Sequence, residues 1–333
     1  LAVLGVARKV GRGHIITTKI EHQAVLCACE QLEKEGFTVT YLEPDSQGFI
    51  SPKRVAAAIR SDTILVSVMY ANNEIGTVEP IADIGKEILR WRKQNNSVYP
   101  YFHTDACQAA GALDLNVEKL HVDLMTINGS KIYGPKGVGV LYKRRGVQIQ
   151  PQILGGGQEM GLRSGTENIP GIIGLARALE LAQENRLAEN RRLVDLRNYF
   201  WEQIYKKIDK VRLNGPDLGN ESVRLPNNLN FSVLDIEGEA LLLYLDAQGI
   251  CCSNGSACTS TSLEPSHVLT ACGLPYEYAH GSLRFTLGHC NAKADIDYVM
   301  KYLPGIVKKL REISPVNLAY SPKDNKHAKI HQR

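Results

Sequence analysis

Several apolar runs of the sequence are each followed by polar residues of types that could carry out chemistry. They are Glu21 and His22 after HIITTK, Asn72, Asn73 and Glu74 after TILVSVMY, Asp105 after YPYFH, and Lys131 after DLMTING. Each run has the composition of a short strand. Because open α/β sheets bind ligands in the crevice outside the carboxyl ends of their strands, we predict that these residues form one site.

The combination of a lysine, an aspartate and a histidine fits pyridoxal 5′-phosphate (PLP). The amine of Lys131, beside the turn residues GPKG, can form a Schiff base with an aldehyde. The carboxylate of Asp105 can hold a pyridine nitrogen protonated, which makes the ring an electron sink. His22 could stack on such a ring or transfer protons.

Other interpretations of these residues remain open from the sequence alone. Lys131 could be an ordinary surface lysine, and Lys136 has the same claim to the chemistry, although it follows Pro135 in the next turn and we interpret it as structural. Asp105 could instead cap a helix that begins at the next residue.

Metal binding is a further alternative for the same stretch. His103, Asp105 and Cys107 alternate as the residues on one face of a strand do. They lack a ligand pair with the spacing of a zinc site, so we predict no metal.

A candidate nucleophile lies far downstream, in CCSNGSACTSTSLEPS. The small residues GSA precede Cys258, and a loop of this composition can carry a thiol to a bound substrate and away again. A buried cysteine in a tight turn is the structural alternative. A zinc site made of Cys251, Cys252, Cys258 and His267 is the least favoured interpretation, because adjacent cysteines chelate poorly.

Two more stretches contain groups that could bind anions. The glycine-rich stretch at 155–168, GGGQEMGLRSGTEN, could hold a phosphate through its backbone N–H groups, Arg163 and Thr166. The alternative interpretation of this stretch is a flexible loop between domains. Arg284, in HGSLRFTLG, could bind a substrate carboxylate bidentately, or it could pair with a surface acid.

Composition excludes several classes of protein. The 333 residues carry a net charge of only +4, which gives no indication of nucleic-acid binding. No apolar run is long enough to span a bilayer. The eight cysteines are irregularly spaced and predict no disulfide framework, so we expect a reducing compartment.

The chain opens without methionine inside a helical pattern, and we expect its true beginning to be missing.

The order of predicted elements indicates an α/β fold with a mostly parallel sheet. Short strands are predicted at 14–19, 39–42, 63–70, 99–103, 123–127 and 137–142, with helices at 24–34 and 81–93. A long helical pattern at 172–204 reads as one or two helices. Strands at 229–233, 251–253 and 281–286 follow it. We therefore predict a large domain at 1–187, a smaller α+β domain at 188–315 and a polar tail at 316–333.

Several motifs in order along the chain resemble those of one known family. They are EHQAVL, ANNEIGTVEP, HTDACQAAG, SKIYGPKGVGVLY, GGGQEMGLRSGT, NGSACTSTSLEPSHVL and SLRFTLG. Together they resemble the cysteine desulfurases of the NifS/IscS type, which are PLP enzymes of the class V aminotransferase family with the aspartate-aminotransferase fold (fold-type I). The TSTSLEPS continuation resembles the long-loop group that serves iron–sulfur cluster assembly.

The resemblance implies a role for each matching residue. It makes Lys131 the covalent attachment site of PLP, Cys258 the nucleophile that takes sulfur as a persulfide, and His22 the imidazole that stacks on the ring and assists proton transfer. The other implied contacts are Asp105 to the pyridinium nitrogen, Gln108 to the phenolic oxygen, Asn73 near the ring oxygen and substrate carboxylate, Arg284 to that carboxylate, and Thr166 to the phosphate of the partner subunit.

Two departures from the family pattern are visible. The family has Ser-Gly-His-Lys where this chain has Asn128, Gly129, Ser130 and Lys131, so Asn128 and Ser130 are expected to donate the phosphate hydrogen bonds. The family's first phosphate-binding turn, a Gly-Ala-Thr segment, is expected to lie upstream of Leu1.

The function implied by the resemblance is that of a homodimeric cytoplasmic cysteine desulfurase. It would convert L-cysteine to L-alanine and pass sulfur to an acceptor or cluster scaffold protein for iron–sulfur cluster assembly or tRNA thiolation. It would bind neither nucleic acid nor membrane directly. A selenocysteine lyase and a truncated, non-catalytic scaffold paralogue are the alternatives.

Overall fold

The protein is described here from a computed structural model, which covers residues 1–255, 265–315 and 317–318. The chain divides into two compact units. The first contains Leu1–Pro44, Ile50–Asn72 and Glu79–Arg186; the second contains Asp45–Phe49, Asn73–Val78 and the described part of 187–333.

The first unit is built on a six-stranded sheet with the order β2-β1-β3-β4-β5-β6. Its strands are β1 (His14–Thr18), β2 (Thr38–Leu42), β3 (Thr63–Ser67), β4 (Tyr101–Asp105), β5 (Leu124–Asn128) and β6 (Gly139–Lys143). All neighbours pair in parallel except β5 and β6, which are antiparallel. This arrangement confirms the predicted mostly parallel sheet.

Helices cover this sheet and bury its central strands. They are α1 (Ala2–Val10), α2 (Gln23–Lys34), α3 (Pro52–Ala58), α4 (Ile81–Asn95) and α5 (Val117–Leu120). Every residue of β1 and β3 is buried, as expected for parallel strands covered on both faces. Ile15, Leu65 and Leu124 pack with α1 and α2 in one core cluster.

The long helical pattern forms a single helix, α6 (Ile169–Lys207). The sequence left open whether this region contains one helix or two. The division between the two units falls within α6, at Arg186 and Leu187.

The second unit contains a three-stranded antiparallel sheet with the order β7-β8-β9. Its elements are β7 (Val211–Leu213), β8 (Asn228–Val233), β9 (Ser282–Thr286), α7 (Gly238–Asp246), α8 (His267–Ala271), α9 (Tyr276–His280) and α10 (Lys293–Ile313). The core of this unit includes Trp201, Phe231 and Phe285. Within the described part of the chain, no helix is long and apolar enough to cross a membrane.

The predicted strand at 251–253 is wrong. Only Ser253 pairs, through an isolated bridge to Arg284, and Cys251 and Cys252 lie outside any strand. Beyond this bridge the chain turns, since Gly255 adopts φ +76, a left-handed conformation that glycine tolerates.

The second unit also includes two short segments from the first half of the chain. The backbone N–H of Leu225 donates to the carbonyl of Gly76 at 2.8 Å, and that of Val78 donates to the carbonyl of Val223 at 2.9 Å. The hydroxyl of Thr77 donates to the carbonyl of Gln47 at 2.7 Å, which joins the two segments to each other.

Candidate active site

The loop after β1 is tied to the chain that follows β3. The carboxylate oxygen Oε1 of Glu21 accepts from the backbone N–H of Met69 at 2.7 Å and from the hydroxyl of Thr18 at 3.2 Å. The amide of Asn72 donates to the carbonyl of Ile20 at 2.9 Å. The structure therefore brings the first two predicted polar segments to the same edge of the sheet.

His22 is held in a defined orientation by its own helix. It is the N-cap residue of α2, and its Nδ1 accepts from the backbone N–H of Ala24 at 3.1 Å. Because Nδ1 accepts, the neutral imidazole carries its hydrogen on Nε2. The half-buried ring can thus donate a hydrogen bond from Nε2.

Glu21 is a completely buried carboxyl directly beside His22 in the chain. Burial raises its pKa well above the usual value, and the charges of Asp105 and Glu79 raise it further, against the lowering effect of the bonds from Met69 and Thr18. Glu21 is therefore protonated over a wider pH range than an exposed glutamate.

The variant Glu21→Gln is expected to become progressively more stable than the wild type as pH rises above about 4.3, the ordinary pKa of glutamate. Above that pH the wild-type carboxyl ionises when the chain unfolds but stays protonated in the folded state, so the wild type loses stability up to its raised folded pKa. The difference in unfolding free energy between the variant and the wild type grows by at most about 1.4 kcal/mol per pH unit. Urea denaturation at several pH values measures it.

An exposed glutamate in α2, Glu30, provides the matched control variant Glu30→Gln. A stability difference between Glu21→Gln and the wild type that does not change with pH would contradict the assigned protonation state.

Asp105 and Lys131 lie close to one thiol. Asp105 ends β4, and its Oδ1 accepts from the backbone N–H of Cys107 at 2.9 Å. Burial raises the pKa of the Cys107 thiol, Asp105 raises it further, and Lys131 lowers it. Because Asp105 and Lys131 follow the carboxyl ends of the neighbouring parallel strands β4 and β5, they lie at the same edge of the sheet.

The residues after Asp105 form a turn, so the alternative of a helix beginning at Ala106 is wrong. Asp105 does satisfy a backbone N–H, that of Cys107, as a cap would. Gln108 lies half-buried in this turn.

Lys131 stands in a short 3₁₀ turn, Gly129–Lys131, directly after β5. Asn128 fixes the turn, since its Oδ1 accepts from the backbone N–H of Ser130 at 2.9 Å and from the Ser130 hydroxyl at 2.8 Å. A Cβ on Gly134 would lie 2.9 Å from the carbonyl oxygen of Gly129. The glycine is thus required for the chain to fold back sharply behind the exposed Lys131.

His103, in β4, is a buried residue with a structural role. Its Nδ1 lies 2.8 Å from the hydroxyl of Ser67, and its Nε2 lies 2.9 Å from the hydroxyl of Thr126. Burial lowers its pKa. His103 thus links β3, β4 and β5. Among the described residues, no group of three or more His, Cys, Asp or Glu side chains could hold a metal ion.

The glycine-rich stretch at 155–168 belongs to the first unit and is mostly exposed. The hydroxyl of Ser164 donates to the carbonyl of Gly156 at 2.7 Å, and the backbone N–H of Gly165 donates to Oε1 of Gln158 at 3.2 Å. These bonds shape the loop next to Thr166, which is exposed.

Arg284 and Asn73 lie together in the second unit. Nη1 of the half-buried Arg284 donates to the backbone carbonyl of Asn73 at 2.9 Å. The backbone of Arg284 also exchanges two hydrogen bonds with Ser253, at 2.7 and 3.0 Å. Cys258, the predicted nucleophile, lies outside the described residues.

The sequence placed Glu21 at the predicted site but gave it no chemical role there, and it offered Cys107 only as a ligand in the disfavoured metal alternative. A carboxyl placed between an apolar residue, Ile20, and the predicted start of α2 was the signal for Glu21. No sequence signal distinguished Cys107, because its importance comes from its closeness to Asp105 and Lys131.

Known proteins show clear similarity to this chain. The aminotransferase class-V family matches residues 1–299. "Cysteine desulfurase IscS" of Clostridium botulinum is 54% identical over 317 residues, which cover 95% of this chain and 78% of that protein. The protein of the same name from Methanosarcina thermophila is 51% identical over 318 residues, 95% of this chain and 76% of that protein.

Solved structures agree with these relatives. A structure titled "NIFS-LIKE PROTEIN" superposes with a TM-score of 0.82 at 36% identity, covering 92% of this chain and 78% of the other. The match extends over both sheets, since 92% of the chain cannot be covered by one unit alone. The predicted fold class is thereby confirmed, and the chain belongs to the aminotransferase class-V family.

Proposed function

We propose that this protein is a PLP-dependent cysteine desulfurase, a homodimeric and cytoplasmic enzyme. It converts L-cysteine to L-alanine and loads sulfur as a persulfide onto Cys258, for transfer to an acceptor protein in iron–sulfur cluster assembly or tRNA thiolation. The observation that carries this proposal is geometric: Asp105 ends β4, and Lys131 follows the end of β5, the neighbouring parallel strand. The names of the curated relatives support the reaction assigned to this site.

The groups at the sheet edge fit PLP by their chemistry. An amine and a carboxylate stand at the ends of neighbouring strands, β5 and β4, which suits a ligand with an aldehyde near one end and a basic nitrogen at the other. When bound, PLP supplies an electron sink. Lys131 would hold its aldehyde carbon, Asp105 its ring nitrogen and Gln108 its phenolic oxygen.

The remaining assignments concern the phosphate and the substrate. Asn128 and Ser130 would hold the phosphate from the 3₁₀ turn, and Thr166 would reach the phosphate of the partner subunit. His22 would stack on the ring and move a proton at Nε2. We assign the substrate carboxylate to Arg284, which is held in position by its bond to Asn73, and we assign Asn73 to the same carboxylate.

The purified protein is expected to show a visible absorption band after addition of PLP, because a protein-bound aldehyde linked to an amine absorbs in that range. It is further expected to release alanine from L-cysteine. Absorption spectra and amino-acid analysis measure the two results. A non-catalytic scaffold would give no alanine, and a selenocysteine lyase would release alanine from selenocysteine but not from cysteine.

Mixing the inactive variants Lys131→Ala and Thr166→Ala is expected to restore part of the activity. If Thr166 serves the partner's site, exchange of subunits creates dimers with one intact site and one site that lacks both residues. Random exchange predicts that about a quarter of all sites are intact. Alanine release after mixing measures the recovery. If mass spectrometry of tagged chains shows that subunits exchange freely but no activity returns, the shared site is disproved.

A further inference from the structure

The segment Asn73–Val78 is held in the second unit by two asparagine side chains of β8. The Nδ2 group of Asn228 donates to the backbone carbonyl of Glu74 at 3.0 Å and, over a longer distance of 3.5 Å, to that of Asn73. The Nδ2 group of Asn230 donates to the same Glu74 carbonyl at 3.0 Å. Both asparagines are buried, at 2% and 0% exposure. Since a buried polar group without a partner is costly, the amides and the carbonyls hold one another in place.

The orientation of the Asn228 amide is set by a buried arginine, Arg224. Nη2 of Arg224 lies 3.4 Å from Oδ1 of Asn228, and its Nε lies 3.3 Å from the Asn228 backbone carbonyl. Nη1 of Arg224 donates to the backbone carbonyls of Asn214 and Pro216, at 2.8 and 2.7 Å, which fixes the guanidinium group. A guanidinium group can only donate hydrogen bonds, so the atom of Asn228 that faces it must be the amide oxygen. The Nδ2 group of Asn228 is thereby turned toward the segment.

The turn that follows Glu74 packs directly against Asn228. Gly76 adopts φ +76, and a Cβ at this position would lie 2.9 Å from both the Cβ and the Oδ1 of Asn228. Only a glycine allows the backbone to come this close. The carbonyl of Gly76 also accepts from the backbone N–H of Leu225 at 2.8 Å. The segment is therefore fitted to the Asn228 side chain, so a change in that side chain is transmitted to the peptide after Asn73.

The guanidinium group of Arg284 uses the same carbonyl of Asn73. Its Nη1 donates to this oxygen at 2.9 Å, and the Nδ2 group of Asn228 approaches the oxygen as well. The backbone of Arg284 is fixed separately, because it pairs with Asn230 in the sheet and bonds to Ser253. The sheet thus fixes the base of the Arg284 side chain, whereas the carbonyl of Asn73 directs its charged end.

We propose that Asn228 is a positioning residue for binding of the substrate carboxylate, because it fixes the Asn73 carbonyl that directs Arg284. A planar guanidinium group binds a carboxylate through two parallel hydrogen bonds, which require a defined orientation of its plane. Asn228 supplies part of that orientation without touching the substrate. The proposal rests on the proposed function, since that function assigns the substrate carboxylate to Arg284.

Asn228→Ala and Asn228→Asp are each expected to raise the KM for cysteine by about fivefold, the effect of losing one hydrogen bond. The kcat should stay within about twofold, because the carboxylate is held in the same way in the bound substrate and in the transition state. Steady-state release of alanine measures both constants. Asn227→Asp is the matched control, since the half-buried Asn227 accepts from Leu287 through its backbone carbonyl, which the substitution leaves in place.

The two substitutions at Asn228 separate positioning from simpler explanations. Asn228→Ala adds no charge, so repulsion of the substrate by a new carboxylate would raise the KM only in Asn228→Asp. Asn228→Asp keeps an oxygen for Arg224, so a role confined to stability would raise the KM only in Asn228→Ala. A rise in one variant without the other would therefore overturn the proposal.

A double-mutant cycle tests whether Asn228 acts through Arg284. Arg284→Ala should raise the KM by itself, and adding Asn228→Ala should then raise it no further, because both changes remove one and the same interaction. Effects that simply multiply in the double variant would show that Asn228 acts independently of Arg284, which contradicts the proposal.

Hydrogen exchange of the cofactor-free protein tests the same contact without any activity. The backbone N–H groups of Val78 and Leu225 join the segment to the rest of its unit. They should exchange faster in Asn228→Ala and Asn228→Asp, and at the wild-type rate in Asn227→Asp. Unchanged exchange in both Asn228 variants would refute the proposal. If the wild type releases no alanine from cysteine, the proposed function fails, whereas the exchange data still decide whether Asn228 holds the segment.

Discussion

Replacing Lys131 with alanine is expected to abolish covalent attachment of PLP and to lower alanine formation by at least about 10²–10⁴-fold, the contribution of a positioned acid–base group. Lys131 directly follows β5, and its charge acts on the same thiol as the charge of Asp105. No other lysine lies in the 3₁₀ turn that Asn128 fixes. Borohydride reduction followed by peptide mass mapping locates the attached cofactor.

Lys136→Ala is the matched control for this variant. Lys136 is exposed and lies beyond the turn that folds back at Gly134, so its removal should leave cofactor attachment intact. A reduced adduct mapped to Lys136, or full activity in Lys131→Ala, would refute the assignment. Asp105→Asn should retain the attachment but weaken PLP binding, because the ring nitrogen loses its anionic partner.

Cys258→Ser is expected to retain bound PLP and to lose persulfide formation altogether, since a hydroxyl cannot accept the sulfur. Other cysteines are poor substitutes. Burial raises the pKa of Cys29 and of Cys252 to about 12, and burial together with Asp105 raises the pKa of Cys107. A thiol with a raised pKa carries little of the reactive thiolate at neutral pH.

Cys251→Ser provides the control, because Cys251 is an exposed free cysteine that precedes the same stretch. Mass spectrometry after incubation with cysteine should find one added sulfur on the peptide with Cys258 in the wild type and in Cys251→Ser. Persulfide on another cysteine, together with undiminished turnover in Cys258→Ser, would show that the nucleophile lies elsewhere.

The strands of the larger sheet could be predicted because their signals are local. An apolar run as short as TILVSVMY is typical of a buried strand rather than of a helix. The parallel pairing of such strands then brings Glu21, Asp105 and Lys131 to one edge of the sheet. The strand itself ends at Ser67, earlier than predicted. The backbone N–H groups of Val68 and Tyr70 still donate to the carbonyls of His103 and Asp105 in β4, whereas that of Met69 donates to the side chain of Glu21.

Features that depend on distant partners could not be predicted in this way. The segment Asn73–Val78 has no strand pattern, and its bonds to Val223 and Leu225 come from a region almost half the chain away in sequence. The short strand β7 is similarly defined by its pairing with β8 rather than by its own three residues. The pKa of Glu21 depends on Asp105 and Glu79, which no local pattern connects to it.

The interleaving of the two units along the chain has a consequence for biosynthesis. Asp45–Phe49 and Asn73–Val78 leave the ribosome early, but their partners near Val223, Leu225 and Asn228 are translated much later. Since domains generally fold in the order of their synthesis, the first unit can fold while these two segments, which belong to the second unit, still lack their partners. The second unit therefore cannot be completed until β8 has been translated, although two of its segments are made together with the first unit.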